Sequence, residues 1–183
     1  VELLQALRSP QMFRFAWTFD ALIWAMLGVS LLVFAGLLRQ HAPIRAAFIA
    51  VCGSAQLFGV LGSFLRLDGI SDLAIRYAAA PADLQVIVLE AYRNLVRVIN
   101  AANHIGVMLQ GVGFLLSAGG VFSLRGFPRW LAVWLTLPGI LAITQFALFI
   151  TGAPYLFLLN VLGLIGGNIA LNLAISIALW RPP

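Results

Sequence analysis

The sequence predicts an all-α transmembrane helical bundle, and three observations support this fold class. First, 62% of the 183 residues are hydrophobic, only 9% are charged, and the mean hydropathy is +1.02. Soluble domains carry about 25% charged residues, so this chain could not cover its own surface in water. Second, the apolar residues fall into runs of about 20 or more, the length that a helix needs to cross a bilayer. Third, turn-forming segments separate these runs.

Five membrane spans are predicted from the apolar runs. Short turns with the sequences RQHAPIR, RGFPR and TGAP separate the first span from the second, the third from the fourth, and the fourth from the fifth. Helices joined by such short turns are expected to be antiparallel neighbours. The predicted spans are residues 15–38, 44–67, 99–124, 130–151 and 155–180.

Only the connection between the second and third spans is long, and we expect it to lie outside the cytoplasm. It covers residues 68–98 and holds four of the six acidic residues. Pro81 and Asp83 have the composition of a helix start, and no breaker follows before Gly106. The third helix should therefore begin outside the bilayer and run into it as one rod of about 40 residues, roughly 60 Å long. Such a rod either projects into water or breaks near residues 100–106.

The basic residues exclude nucleic acid as a partner and predict the orientation of the chain in the membrane. All 11 are Arg, and they stand singly near the ends of apolar runs, where they anchor helices at the headgroup level. A nucleic-acid interface would need a basic face with interleaved aromatic residues, which the sequence lacks. Because basic residues favour the cytoplasmic side, we expect the C-terminus to lie in the cytoplasm. The side without acids carries Arg39, Arg45, Arg125, Arg129 and Arg181.

A polar stripe on the third helix is the main candidate site. Its members are spaced by three or four residues and so share one helix face. They are Glu90, Arg93, Arg97, Asn100 and His104. Polar groups are costly inside a bilayer, so the stripe could be a path for protons, anions or polar headgroups. The competing interpretation is interhelical hydrogen bonding with snorkelling at the helix end.

Patterns typical of catalytic or metal sites do not occur in the sequence. There is no HExxH pair, no P-loop and no GxSxG turn. His104 has no second metal ligand at a recognisable spacing, and Cys52 is the single cysteine. We therefore predict no catalytic residue and no metal site, and the sequence names no cofactor.

Small and amide residues recur at a helical period in three spans and predict close helix packing. This packing can be within the bundle, or between two copies in a homodimer. The second span contributes Ala55, Gly59 and Ser63, the third Gly113 and Ser117, and the fifth Gly163, Gly167, Asn168 and Asn172.

Three segments of the chain carry a resemblance to a known family. They read SPQMFRFAWTFD, NAANHIGVMLQGVGFLLSAGG and LRGFPRWLAVWLTLPGILAI. Together they resemble the bacterial six-helix membrane family called domain of unknown function 4386. The resemblance covers nearly the whole chain, aligned to the last five of the six helices, and implies one more helix before Val1. It implies this fold in a bacterial cytoplasmic membrane, and no activity. The Arg-only basic residues and the acidic connection depart from the family pattern.

Three functions stay open from the sequence. The first is a non-catalytic membrane protein that binds a lipophilic ligand or acts as an accessory subunit of a membrane complex. Its partners would be membrane lipid, another membrane subunit or a second copy of the chain. The second is a small transporter or channel with a polar path along the third helix. The third is a lipid- or quinone-modifying membrane enzyme with His104 as its acid or base.

Overall fold

The structure, a computed structural model, describes residues 2–124, 127–152 and 157–180, and the side chains of these except at 157–162. The described residues are helical almost throughout, and no β-strand occurs among them. This confirms the predicted all-α helical bundle. Arg125 and Arg181 of the acid-free side, and Tyr155 at the predicted start of the fifth span, lie outside the described residues.

The helices follow one another with short breaks. A π-helical turn, Leu65–Ile70, joins α4 to α5 without interrupting the helix. Within the described part of the chain they are α1 (Glu2–Arg8), α2 (Pro10–Leu38), α3 (Pro43–Ala55), α4 (Leu57–Phe64), α5 (Ser71–Ala79), α6 (Ala82–Ser123), α7 (Arg129–Thr151) and α8 (Phe157–Leu179).

Several of these helices are long and apolar enough to cross a membrane, so the protein is an integral membrane protein. Four such helices occur among the described residues: α2, the continuous helix Pro43–Ala79, α6 and α7. A shorter apolar helix, Gly163–Leu179, forms most of α8. No single hydrophobic face dominates α7 or α8, as expected for helices that meet lipid on one side and other helices on the other.

The segment predicted as a long connection, residues 68–98, is helical almost throughout. The helix that begins at Pro43 continues past Leu67 to Ala79, and α6 begins three residues later. Asp68 and Gly69 resemble a helix stop, but tertiary packing of the next turns overrides that local preference. The third span is part of α6, which is one helix of 42 residues without a break at 100–106.

The chain divides into two compact units, each with its own buried residues. Unit 1 comprises Val1–Ala25 and Phe58–Asn103, and unit 2 comprises Met26–Leu57 and His104–Pro183. In unit 1, the short helix α1 buries two side chains that are three residues apart and so share one face. The buried apolar cluster of unit 1 is Leu3, Ala6, Phe13, Ile70 and Ala74.

The core of unit 2 is larger and draws on every long helix of that unit. Its α2 residues recur at a helical period, which turns one stripe of the helix inward. The large, fully buried members are Leu27, Leu31, Phe34 and Leu38 from α2, Ile49 from α3, Phe114 from α6, Leu131 and Leu135 from α7, and Leu171 from α8. The Phe114 ring of α6 packs directly against the backbone of α8 at Gly167, where an added Cβ atom would lie 2.3 Å from Phe114 Cε2.

Candidate functional site

The first four residues of the predicted polar stripe lie in unit 1. Glu90, Arg93 and Arg97 are exposed on α6. The Arg97 guanidinium donates a long hydrogen bond of 3.4 Å to Asn94 on the same helix. Asn100 is half-buried, and its Oδ1 accepts a hydrogen bond from an Arg on the π-helical turn. Only the deepest of these four is therefore part of an interior site.

The fifth stripe residue, His104, lies in unit 2. Its half-buried ring stacks on Phe149 of α7, with 3.6 Å between the ring centroids and 20° between the ring planes. This contact belongs to the interface of α6 and α7. The stacking supports a packing role for the imidazole.

The predicted packing residues of unit 1 contact large or polar neighbours. A Cβ atom added to Gly59 would lie 2.1 Å from Trp24 Cδ2, so only glycine lets the indole approach this closely. One turn on, the buried Ser63 hydroxyl lies 2.9 Å from the Gly59 carbonyl oxygen and donates to Asp20 Oδ2 at 2.6 Å. Asp20, six residues into the first predicted span, thus has a hydroxyl partner.

The predicted packing residues of unit 2 sit mostly in its interior. Gly113 lies against Cys52 and Leu31. A Cβ atom added to Gly163 would lie 3.6 Å from Leu141 Cβ, which is ordinary van der Waals contact. Among the rest, Gly167 and Ser117 are buried, Ala55 and Asn168 are half-buried, and Asn172 is exposed.

One interhelical hydrogen bond of unit 2 involves these amide residues. The Ser30 hydroxyl of α2 donates to Asn172 Oδ1 of α8 at 3.1 Å. Asn172 Nδ2 in turn donates to the Asn168 carbonyl oxygen at 2.9 Å. The side-chain amide of Asn172 thereby links α8 to α2.

A buried guanidinium in unit 1, Arg66, is the clearest interior site, and the sequence interpretation passed over it. Its side chain is only 9% exposed. Nη2 donates to Asn100 Oδ1 at 2.7 Å, and the guanidinium carbon lies 4.5 Å from the Trp17 ring centroid. Glu2 of α1 is the ion-pair partner, with 3.5 Å between Arg66 Nε and Glu2 Oε1. We call these four residues the Arg66 centre.

Arg66 has an unusual position in the chain. It lies on the π-helical turn Leu65–Ile70, and such turns often occur at functional sites. At the sequence level it resembled an interfacial anchor, because it is one residue from the end of the predicted second span. The signal that could have identified it is the four-residue spacing to Ile70 and Ala74, which places all three on one face.

A groove in unit 2 combines a cation with apolar walls. It lies between the start of α3 and the end of α6 and has a volume of about 430 Å³. Arg45 Nη1 donates to the Gly119 carbonyl oxygen and, at 2.9 Å, to the Ser123 hydroxyl. These contacts place a positive charge at the C-terminus of α6, where a helix favours cations. The groove, here called the Arg45 groove, is lined by Ala42, Pro43, Ile44, Arg45, Phe48, Leu116 and Ser123.

The Arg45 guanidinium keeps donors for a ligand. Both of its hydrogen bonds leave from Nη1, and Nε and Nη2 make none to other described residues. Ile44 and Phe48, on the same helix, are 76% and 59% exposed. A charged group at the helix end and an apolar wall beside it form an amphiphilic surface at the edge of unit 2.

The charged residues of unit 2, to which this groove belongs, are all of one sign. Unit 2 contains five of the 11 Arg residues and none of the six acids. Arg39 follows α2 and Arg129 begins α7, and both are exposed at the end of unit 2 that holds Arg45. An anion at this end therefore meets no competing carboxylate from its own unit.

The interior of unit 2 also holds neutral polar groups. Gln110, Gln145 and Ser117 are at most 2% exposed. Gln110 Oε1, Gln145 Nε2 and the Ser117 hydroxyl make no hydrogen bond among the described residues. These groups are a further feature that the sequence interpretation did not use.

Among the described residues, no three His, Cys, Asp or Glu side chains group together as metal ligands would. Comparison of the chain with protein-family models, curated proteins and solved structures finds no match. The resemblance to the six-helix bacterial family accordingly stays a prediction from the sequence.

Proposed function

We propose that this chain is a non-catalytic integral membrane protein that binds an anionic amphiphilic lipid in the Arg45 groove. The observation that carries the proposal is the groove itself, which places the free donors of Arg45 beside the exposed side chains of Ile44 and Phe48. A lipid phosphate would accept hydrogen bonds from the guanidinium. An acyl chain would lie along the apolar wall, because water is excluded from that contact.

The surroundings of the groove favour an anionic over a zwitterionic headgroup. Arg39 and Arg129 add positive charge at the same end of unit 2, and each such residue near an anionic membrane surface contributes about 1 kcal/mol. Basic residues concentrate on the cytoplasmic side of a membrane. We therefore propose that this end faces the cytoplasm of a bacterial cell, with the C-terminus on the same side.

The other functions from the sequence receive less support. Asn100 is engaged by Arg66, and His104 stacks on Phe149, so each has a structural role that explains it. A transporter path along α6 and a lipid- or quinone-modifying activity of His104 therefore remain predictions. An accessory-subunit role or a homodimer is compatible with lipid binding and also remains a prediction.

Native mass spectrometry of the protein in mixed lipid nanodiscs tests the proposal. The wild-type protein should retain phosphatidylglycerol in preference to phosphatidylcholine. Arg45→Gln should lower the retained phosphatidylglycerol by about tenfold, the worth of one hydrogen-bonded charge. Arg93→Gln, an exposed change on α6 in unit 1, is the control for loss of one positive charge and should retain as much as the wild type.

A second variant separates lipid binding from helix capping by Arg45. Ile44→Trp adds volume at an exposed position of the groove and leaves the guanidinium and its partners in place. It should reduce phosphatidylglycerol retention without changing the helical circular dichroism signal. Equal retention of the two lipids by the wild type, or full retention by both groove variants, would overturn the proposal.

A further inference from the structure

The Arg66 centre in unit 1 holds a charge that the surrounding protein satisfies only in part. A guanidinium has five N–H donors. Arg66 uses one of them in the hydrogen bond to Asn100, and its buried Nε has no hydrogen-bond partner among the described residues. Stacking on Trp17 stabilises the cation but uses no donor. The guanidinium therefore keeps the capacity to bind an acceptor.

The acceptor offered by the chain itself fits poorly. Charge-assisted hydrogen bonds between a guanidinium and a carboxylate are about 2.7–2.9 Å long and often bidentate. The separation of Arg66 Nε from Glu2 Oε1 is 3.5 Å. The second carboxylate oxygen of Glu2 is buried without a hydrogen-bond partner among the described residues. The ion pair thus leaves hydrogen-bonding capacity unused on both sides.

The helix that carries Glu2 combines a carboxylate with an apolar face. The side chains of Leu3 and Ala6 are only 4% and 7% exposed, and they pack with Ile70 and Ala74 of the helix that carries Arg66. α1 has only seven residues, so packing rather than intrinsic propensity holds it in place. In chemical terms α1 is a tethered amphiphile whose anionic head faces Arg66.

We propose that the Arg66 centre is a binding site for a free amphiphilic carboxylate of the fatty-acid class, and that α1 occupies this site when no ligand is bound. The ligand carboxylate would form the bidentate hydrogen bonds that Glu2 does not make. Its chain would cover the apolar surface that Leu3 and Ala6 cover. This site belongs to unit 1 and does not depend on lipid binding in the Arg45 groove.

The quenching of Trp17 fluorescence by dibromostearate in nanodiscs tests the site. The ring of Trp17 lies beside the guanidinium, and the component of the signal that disappears in Trp17→Phe reports on this position. Quenching should be saturable for the acid and not for its methyl ester, which partitions into lipid without the charge. The corresponding dibromo-alkyl phosphate distinguishes a carboxylate site from a general anion site. If it binds as tightly as dibromostearate, the assignment of the ligand to the fatty-acid class is overturned.

Two substitutions should change the affinity for dibromostearate in opposite directions. Glu2→Gln removes the internal competitor, so dibromostearate should bind about three- to tenfold more tightly. Arg66→Lys keeps the charge but loses the planar fork, so binding should weaken by about tenfold. Arg93→Lys, an exposed change on α6 of the same unit, is the matched control and should bind like the wild type. Arg45→Gln should also leave this binding unchanged.

Amide hydrogen exchange of α1 provides a second readout that needs no substitution. If the ligand replaces α1, exchange at residues 2–8 should become faster when dibromostearate saturates the protein, whereas ligands usually slow exchange near their sites. Unchanged or slower exchange there would overturn the competition. Weaker or equal binding by Glu2→Gln would overturn it as well.

Discussion

The two units of the molecule differ in the charges they contain and in how those charges are paired. Unit 1 contains all six acids and six Arg residues, whereas unit 2 contains five Arg residues, both His residues and no acid. In unit 1 charged and polar side chains bind one another, as in the pairs of Arg66 with Glu2 and of Ser63 with Asp20. The buried polar groups of unit 2 are neutral, and several of them have no hydrogen-bond partner among the described residues.

This difference separates two uses of polar groups in a membrane protein. A charge inside an apolar core must be compensated there, because its desolvation costs several kcal/mol. Unit 1 compensates its interior charge with its own residues, and an outside anion must compete with them. The described cations of unit 2, Arg39, Arg45 and Arg129, lie at one end of that unit, where an outside anion meets no carboxylate from the same unit. Three stability measurements test this comparison.

The largest fall in the free energy of unfolding is expected when the interior positive charge of unit 1 is removed. Arg66→Met keeps most of the side-chain volume but leaves the partly buried Glu2 carboxylate without its cation, so the free energy of unfolding should fall by about 3 kcal/mol. Unfolding by sodium dodecyl sulfate in mixed micelles, followed by circular dichroism, measures this change. The double variant Glu2→Gln with Arg66→Met should recover part of the loss, because no carboxylate is then stranded.

Arg93→Met is the control for this prediction. Arg93 is exposed on α6 of the same unit, so its replacement should change the free energy of unfolding by less than about 0.5 kcal/mol. If Arg66→Met is as stable as Arg93→Met, the interior of unit 1 does not depend on the compensated charge.

Close helix packing should be equally important in both units. An added Cβ atom would lie 2.1 Å from the Trp24 ring at Gly59 in unit 1, and 2.3 Å from the Phe114 ring at Gly167 in unit 2. Gly59→Ala and Gly167→Ala should each lower the free energy of unfolding by about 1–3 kcal/mol, the usual cost of overpacking. The same detergent titration measures both.

Two other glycines serve as matched controls. A Cβ atom at Gly36 or at Gly166 would meet nothing within 4 Å. Gly36→Ala and Gly166→Ala should therefore be neutral, or stabilising by up to about 1 kcal/mol, since alanine favours helix. A loss confined to one unit would show that packing, and not only charge, distinguishes the two.

The sequence predicted much of the fold because membrane helices carry a strong local signal. Apolar runs of sufficient length and Gly- or Pro-containing breaks located most of α2, α6 and α7. It did not predict α1, which is too short for a periodic pattern and is held by packing of Leu3 and Ala6. Nor did it predict that the helix continues past Asp68, because that depends on long-range contacts of the following turns.

The candidate sites were harder to predict than the fold. The spacing of the polar stripe predicts one helix face, but spacing alone does not say which members have interior partners. Asn100 does, through Arg66, while Arg93 is exposed. Arg66 and Arg45 both resembled anchors at span ends, and only their neighbours, a loosely paired Glu2 and an apolar groove, distinguish them.

The smallest expected effect compares single polar side chains in the two interiors. Ser63→Ala in unit 1 removes the hydrogen bond to Asp20 and should lower the free energy of unfolding by about 0.6–1 kcal/mol, as for other interhelical hydrogen bonds in membranes. Gln110→Leu in unit 2 removes a buried oxygen that has no partner among the described residues. That change should be neutral or slightly stabilising, because an apolar side chain of similar size carries no unsatisfied group. The detergent titration gives both values, and Gln11→Leu on the exposed start of α2 controls for added hydrophobicity. A loss of 1 kcal/mol or more in Gln110→Leu would mean that this amide has a partner such as buried water, and that the polar interior of unit 2 is satisfied in the same way as that of unit 1.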